Sequence, residues 1–226
     1  MDHGPTQSPA VFDVLVVGAG PAGLMAAEQA AQAGMRVAVA EAMPSPARKF
    51  LMAGKSGLNL TKAEKPEAFL QYFDAISSLK PILSEFGPDE VIGFAEGLGQ
   101  EVFTGSTGRV FPTRMKASPL LRAWLARLDA LGVVLLRRHR WVGPLTPHTQ
   151  HLFETPKGKV PLTAGALILA LGGASWARLG SDGAWQRAVA AAGLPIAPMQ
   201  ASNGACRGLG PHICNRFLVN QSRMSS

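Results

Sequence analysis

The sequence predicts an α/β fold with a parallel sheet, because two apolar strands each run into a glycine-rich turn and then a helix. The first is Val14–Val17, followed by Gly18–Gly23 and an alanine-rich segment of helical length. The second is Ala166–Leu171, followed by a glycine-rich exit at Gly172–Gly173 and a helix from about Ala184 to Ala192. In such a sheet ligands bind at the carboxyl ends of the strands, so the two turns are expected to flank one site.

The first turn, Gly18-Ala19-Gly20-Pro21-Ala22-Gly23, has the spacing of a dinucleotide-binding loop. Gly18 permits the tight turn, Gly20 leaves bare backbone for a pyrophosphate, and Gly23 brings the helix close to the sheet. A second apolar run, Val37–Ala40, ends in Glu41, where a carboxylate can accept hydrogen bonds from adenosine ribose hydroxyls. We therefore expect a Rossmann-like β–α–β unit that binds an adenine dinucleotide without a 2′-phosphate.

The middle of the chain is predicted to alternate loops with short helices. Two prolines and two glycines in residues 42–62 indicate a long loop that could fold over the ligand. Residues 65–99 should form short helices broken at Pro81 and Gly87–Pro88. Ser118 is expected to cap a helix with Pro119 at its first position, which ends near Gly132. A buried strand is predicted at Val133–Leu136.

A β-hairpin or meander crossover is predicted before the second glycine-rich exit. His151–Thr155 and Lys159–Thr163 alternate in polarity around a Pro-Lys-Gly turn. The apolar strand Ala166–Leu171 is expected to follow as a separate, parallel strand. The basic run Arg137–Arg140 is interpreted as a strand edge. The five histidines lie outside the glycine motifs and are interpreted as structural or exposed, so no catalytic residue is assigned.

Composition limits the classes of function. The 226 residues are 47% hydrophobic and 16% charged, which is typical of a globular protein. No apolar run is long enough to span a membrane. The net charge of +7 is scattered and lacks a nucleic-acid motif, so nucleic-acid binding is not expected. Two cysteines and no metal-ligand spacing favour a cytoplasmic protein without a metal site.

Four motifs in this order resemble the bacterial YhiN/HI0933-like FAD-dependent flavoproteins, some of which are called aminoacetone oxidase-like. These motifs are Asp13–Glu41, Arg48-Lys49 with Gly54–Thr61, Gly108–Pro112, and Ala170–Ser175 with Gly180–Gly183. The resemblance implies an oxidoreductase that holds FAD non-covalently, with NADH or NADPH as electron donor and a small-molecule substrate. It implies these cofactor-binding residues: Gly18, Ala19, Gly20, Pro21, Ala22, Gly23, Glu41, Ala42, Lys49, Gly54, Asn59, Thr61, Ala170, Gly172 and Gly173.

The sequence departs from the family pattern at three places. Gly57-Leu58 precedes Asn59 where the family carries an Arg-Cys pair, so no thiol is expected there, and Leu171 replaces a threonine. Family members are also considerably longer. We expect a flexible tail at residues 1–10, an FAD-binding domain at 11–195, and the start of a second, incomplete domain at 196–226, with a truncation or frameshift near Ala201. The alternatives are an inactive nucleotide-binding fragment and an RNA-modifying flavoprotein. The oligomeric state is left open.

Overall fold

The computed structural model describes residues 11–73, 77–145 and 150–199. They cover most of one compact unit, Met1–Ile196, and three residues of a second unit, Ala197–Ser226. The tail predicted at residues 1–10 and most of the predicted second domain lie outside the described residues, so the domain boundaries stay a prediction.

Strands and helices follow one another along the chain in the α/β order that the sequence predicts. The elements are β1 (Val11–Val17), α1 (Pro21–Gln32), β2 (Val37–Glu41), α2 (Arg48–Ala53), β3 (Thr61–Lys62), α3 (Pro66–Gln71), α4 (Lys80–Glu85), α5 (Pro88–Gly97), β4 (Val102–Thr104), β5 (Arg109–Pro112), α6 (Ala117–Ala130), β6 (Val134–Arg137), β7 (Arg140–Trp141), β8 (Gln150–Thr155), β9 (Gly158–Leu169) and α7 (Trp185–Ala191).

The main sheet has six described strands in the order β6-β2-β1-β9-β8-β7. The first four are parallel to one another, whereas β9, β8 and β7 form an antiparallel meander. Val17 pairs with Ala40 of β2 and with Leu169 of β9, so three strands end at the same edge. This confirms the α/β fold, and its parallel strands place both glycine-rich turns at that edge. A smaller antiparallel sheet has the order β3-β5-β4.

Strand β9 differs from the prediction of a hairpin arm and a separate strand. It runs without a break through 12 residues, Gly158–Leu169. Its first half pairs antiparallel with β8, and Thr163 pairs with both Gln150 of β8 and Val11 of β1. No turn is needed between the two halves because one strand passes from the meander into the parallel sheet.

Helices cover one face of the parallel strands and the meander covers the other. Buried Leu24 of α1 and Leu120 and Trp124 of α6 belong to the core on the helical side, and buried Phe153 of β8 belongs to the core on the meander side. The helical side also holds Glu28, which is 2% exposed. Its carboxylate accepts hydrogen bonds from Trp124 Nε1 at 2.6 Å and Arg127 Nη1 at 3.1 Å, which joins α1 to α6.

Two local predictions need correction. Residues 42–62 are not a continuous loop, because α2 and β3 lie within them. Helix α6 begins at Ala117 with Lys116 as its N-cap, so Ser118 and Pro119 lie inside the first turn instead of starting the helix. By contrast, α4 and α5 begin at or beside Pro81 and Pro88, as predicted. No helix in the described ranges has the length and apolarity needed to cross a bilayer.

Candidate functional site

A cleft of about 610 Å³ lies at the edge where β1, β2 and β9 end. The start of α1 and the start of α2 form one side, and residues 139–143 with residues 179–188 form the other. Nine of the residues predicted from the sequence line it: Gly18, Gly20, Pro21, Ala22, Glu41, Ala42, Lys49, Ala170 and Gly172. The two glycine-rich turns therefore border a single cavity.

The first glycine turn brings bare backbone to this cleft. Gly18 has a φ of +106°, and a Cβ atom there would overlap the carbonyl oxygen of Ala170. A Cβ at Gly23 would overlap the carbonyl oxygen of Gly18, so α1 can approach the sheet only without a side chain there. A Cβ at Gly20 would meet no atom within 4 Å and would project into open space. The two close approaches therefore fix the turn, and Gly20 keeps it accessible.

The N-terminus of α1 is open toward the same cavity. Gly20 is its N-cap, no side chain caps it, and Pro21 has no N–H group. The next N–H groups of the first turn have no partner within the helix, and the helix dipole adds positive potential there. Lys49 and Arg48 of α2 also line the cleft and add positive charge. This end of the cleft is suited to phosphate groups.

The Glu41 carboxylate joins the two loops at the floor of the cleft. Its Oε2 accepts a hydrogen bond from the Ala19 N–H at 2.9 Å, and its Oε1 accepts one from the Met43 N–H at 2.8 Å. Each carboxylate oxygen can accept more than one hydrogen bond, so both keep capacity for hydroxyl donors of a ligand. Glu41 is thus oriented by the backbone before any ligand arrives.

The far wall of the cleft contains residues that were not predicted as site residues. His139, Arg140 and Trp141 line it, and the His139 N–H donates to the Glu41 carbonyl oxygen at 2.8 Å. Within this wall, Arg140 forms an ion pair with Asp182 at 3.6 Å. The pKa of Asp182 is lowered by the hydrogen bond from the Ala184 N–H and by the nearby Arg140 charge. The only sequence signal for this wall is the basic run itself, since its position depends on β7 folding back toward β2.

Two residues that line the cleft carry buried side-chain nitrogens without hydrogen-bond partners in the described part of the chain. Arg48 Nε and Trp141 Nε1 are buried atoms of lining residues, and neither has a hydrogen-bond partner among the described residues. Buried polar nitrogens normally have partners. Because neither atom is accessible from the cleft, a ligand would reach them only after these two side chains rearrange.

The remaining predicted residues lie outside the cleft lining. Ala19 and Gly23 are buried beneath the turn, and Asn59 and Gly173 are exposed. Gly54 packs against Ala117, and Thr61 pairs with Val110 in the smaller sheet. The described residues contain no group of acidic, histidine or cysteine side chains that could hold a metal ion. Contact of Gly54, Asn59, Thr61 and Gly173 with a cofactor stays a prediction.

The family model described as the HI0933-like protein Rossmann domain matches residues 12–209, which is most of the chain. This match spans both glycine-rich turns and every lining residue of the cleft named above. It includes the predicted motifs from Asp13 to Gly183.

Solved structures with a similar fold are much longer than this chain. A flavocytochrome c3 fumarate reductase in an open conformation is similar over 75% of this chain and 34% of its own, with 22% identity and a TM-score of 0.59. Mycobacterium smegmatis Sdh1 in complex with UQ1 is similar over 73% and 34%, with 16% identity and a TM-score of 0.54. A 3-ketosteroid-delta4-(5alpha)-dehydrogenase from Rhodococcus jostii RHA1 is similar over 74% and 47%, with 17% identity and a TM-score of 0.50. The chain spans between a third and a half of these proteins, and the likeness shows a shared fold.

Proposed function

Because the chain belongs to the HI0933-like Rossmann-domain family, we propose that it binds FAD in the cleft and forms the dinucleotide-binding part of a flavin-dependent oxidoreductase. The order of its four motifs, which resembles that of FAD-dependent flavoproteins, supports FAD over other dinucleotides. One of the structurally similar proteins is a flavocytochrome, which agrees with this assignment.

The observation that carries the proposal is the position of Glu41 relative to the glycine turn. Its carboxylate lies 2.9 Å from the Ala19 N–H, so the acid that suits ribose hydroxyls adjoins the loop that suits a pyrophosphate. An adenosine diphosphate presents these two groups side by side. A strand–turn–helix unit without a ligand would not need Gly20 to remain open.

Different residues of the cleft would bind different parts of the dinucleotide. The backbone at Gly20 and Ala22, together with Lys49, would hold the pyrophosphate, and Glu41 would accept hydrogen bonds from the ribose. Glu41 would repel a 2′-phosphate, so a dinucleotide that carries one is disfavoured here. Bound FAD supplies the redox chemistry, and the protein supplies position and electrostatics.

The small-molecule substrate and a nicotinamide electron donor belong to the same proposal. No described side chain in the cleft is assigned as an acid or base. A second candidate function is an inactive dinucleotide-binding fragment, and the chain covers 34–47% of the length of the similar structures. Reduction of bound FAD by NADH or NADPH distinguishes the two candidates.

The experiment that tests FAD binding begins with the absorption spectrum of the purified protein. Flavin bands and release of FAD, identified by mass after denaturation, are the expected result. FAD is then titrated into flavin-free protein while its fluorescence is followed. Protein that is folded by circular dichroism and binds no FAD would contradict the proposal. FAD that binds and is reduced by neither nicotinamide would support the fragment.

A further inference from the structure

A second cavity adjoins the cleft and is lined by basic side chains. It has a volume of about 430 Å³, and we call it the basic pocket. Arg48, Lys55 and Lys116 contribute its charges, and Ser45 and Ser118 contribute hydroxyl groups. Ser45, Arg48 and Leu179 line both cavities, so the basic pocket shares a wall with the cleft.

The close approach of two helix ends builds this pocket. Gly54 follows α2, and a Cβ atom there would lie 2.5 Å from the Cβ of Ala117 at the start of α6. The glycine therefore allows the end of α2 to touch the beginning of α6. Lys55 and Lys116 consequently become neighbours, and the Lys116 ammonium donates to the Lys55 carbonyl oxygen at 3.5 Å.

The charges of the pocket are not balanced by the protein. No acidic residue lines it within the described part of the chain. Other basic residues do find carboxylates, since Arg36 pairs with Asp13 at 2.8 Å and Lys62 with Glu64 at 2.9 Å. Three cationic side chains that line one pocket without a neighbouring carboxylate among the described residues favour an anion in this space.

Lys116 is also in a position that helix stability disfavours. It is the N-cap of α6, where the helix dipole is positive and where Ser, Thr, Asp or Asn is preferred. No side chain caps this helix, and its first turn has no acidic residue. A sequence that breaks local rules at one point usually does so for function. A bound anion would interact favourably with both the lysine and the helix terminus.

We propose that the basic pocket binds a small oxyanion, a phosphate or carboxylate group carried by the small molecule that reacts at the neighbouring dinucleotide. The role of this molecule as a reaction partner rests on the proposed function, whereas binding of the anion does not. The pocket is separate from the place of the dinucleotide's own pyrophosphate, which is the glycine turn.

The test measures binding of inorganic phosphate to the flavin-free protein by calorimetry at low salt. Lys116→Gln should weaken this binding by about tenfold, because it removes one charge-assisted hydrogen bond. Lys157→Gln is the matched control, since Lys157 is an exposed lysine in the β8–β9 turn, away from both cavities. Lys116→Asp should abolish phosphate binding and raise the melting temperature, because an acidic N-cap stabilises α6. A purely structural lysine would not give these opposite changes.

A second arm separates the pocket from the dinucleotide site. FAD affinity should be the same for Lys116→Gln and the unchanged protein, and phosphate should still bind after saturation with FAD. If Lys116→Gln weakens the binding of FAD as much as the binding of phosphate, the lysine contacts the dinucleotide and the proposal is wrong. Absence of phosphate binding, or equal binding by Lys116→Gln, also overturns it. If phosphate binds as expected and FAD does not bind at all, the anion site stands and the proposed flavin function fails.

Discussion

Substitution of Glu41 by glutamine should damage the protein in two separable ways, in folding and in dinucleotide binding. The carboxylate accepts two backbone N–H groups, from Ala19 at 2.9 Å and from Met43 at 2.8 Å. Glutamine keeps one acceptor oxygen and turns an NH₂ group toward the other N–H donor. One hydrogen bond to a charged acceptor is lost, and the facing donors repel each other. The free energy of unfolding should therefore fall by about 1.5–3 kcal/mol.

The same substitution should weaken FAD binding by more than the loss of folding stability explains. The charged acceptor for the ribose hydroxyls disappears, and the displaced Ala19 amide disturbs the neighbouring pyrophosphate turn. We expect the dissociation constant for FAD to rise by about tenfold to a hundredfold, which corresponds to about 1.4–2.8 kcal/mol. Fluorescence titration of FAD is made at a temperature where both proteins are fully folded.

Urea unfolding gives the stability change, and Glu154→Gln is the matched control. Glu154 is an exposed acid on β8 and does not line the cleft. Glu154→Gln should change neither the free energy of unfolding nor the binding free energy of FAD by more than about 0.5 kcal/mol. If Glu41→Gln behaves like this control in both assays, the role of the carboxylate at the floor of the cleft is refuted. If it lowers stability alone, Glu41 organises the loops and does not contact the ribose.

Three further predictions concern the turn, the core and pH. Gly23→Ala should lower the free energy of unfolding by about 1–3 kcal/mol, because its Cβ would overlap the Gly18 carbonyl oxygen. Gly20→Ala should leave the free energy of unfolding in urea nearly unchanged and should lower the affinity for FAD. Glu28→Ala should lower the free energy of unfolding by about 3 kcal/mol, since it leaves the buried indole N–H of Trp124 and the guanidinium of Arg127 without their acceptor. A decrease of less than about 1 kcal/mol in urea unfolding would contradict this. Burial lowers the pKa of His151 below 6.5, so the unfolded chain takes up its proton first and stability should fall as pH drops through 6.5. His151→Leu should remove that part of the pH slope in unfolding measured between pH 7.5 and 5.5.

The glycine turn and the acid at the end of β2 could be predicted from the sequence because both depend on local geometry. A tight turn, a close helix approach and a carboxylate at a strand end leave a pattern within about 30 residues. The α/β order and the shared edge of the two glycine-rich exits follow from the same pattern. Their structural positions agree with it, since Gly18 packs against Ala170.

The far wall of the cleft could not be predicted because it depends on contacts between distant segments. The short strand β7 reaches the cleft through antiparallel pairing with β8, with Arg140 opposite Glu154. Nothing in the run Arg137–Arg140 indicates that His139 will meet Glu41. The start of α6 differs from the prediction for a related reason. Ser118 is the better N-cap by propensity, but packing of Gly54 against Ala117 begins the helix earlier.

Unusual backbone conformation is concentrated around the two cavities. The described non-glycine residues with positive φ are Ala47, Met115, Arg138 and Trp176, at values between 52° and 57°. Ala47 lines the cleft, and each of the others lies within a few residues of a group that lines one of the cavities. Such conformations cost about 1–3 kcal/mol each and persist only where the surroundings enforce them.

Three of these four residues have backbone hydrogen bonds to distant segments. The Ala47 N–H donates to the Ala19 carbonyl oxygen at 2.8 Å, and the Arg138 N–H donates to that of Met43 at 3.3 Å. The Leu58 N–H donates to the Met115 carbonyl oxygen at 3.3 Å. The first two bonds are accepted by the carbonyl groups of Ala19 and Met43, and the N–H groups of the same two residues donate to the Glu41 carboxylate. The strained segments and the Glu41 carboxylate therefore belong to one hydrogen-bonded frame, which holds the cleft in shape at the expense of local backbone preference. A site that must be preorganised for a ligand gains from this arrangement.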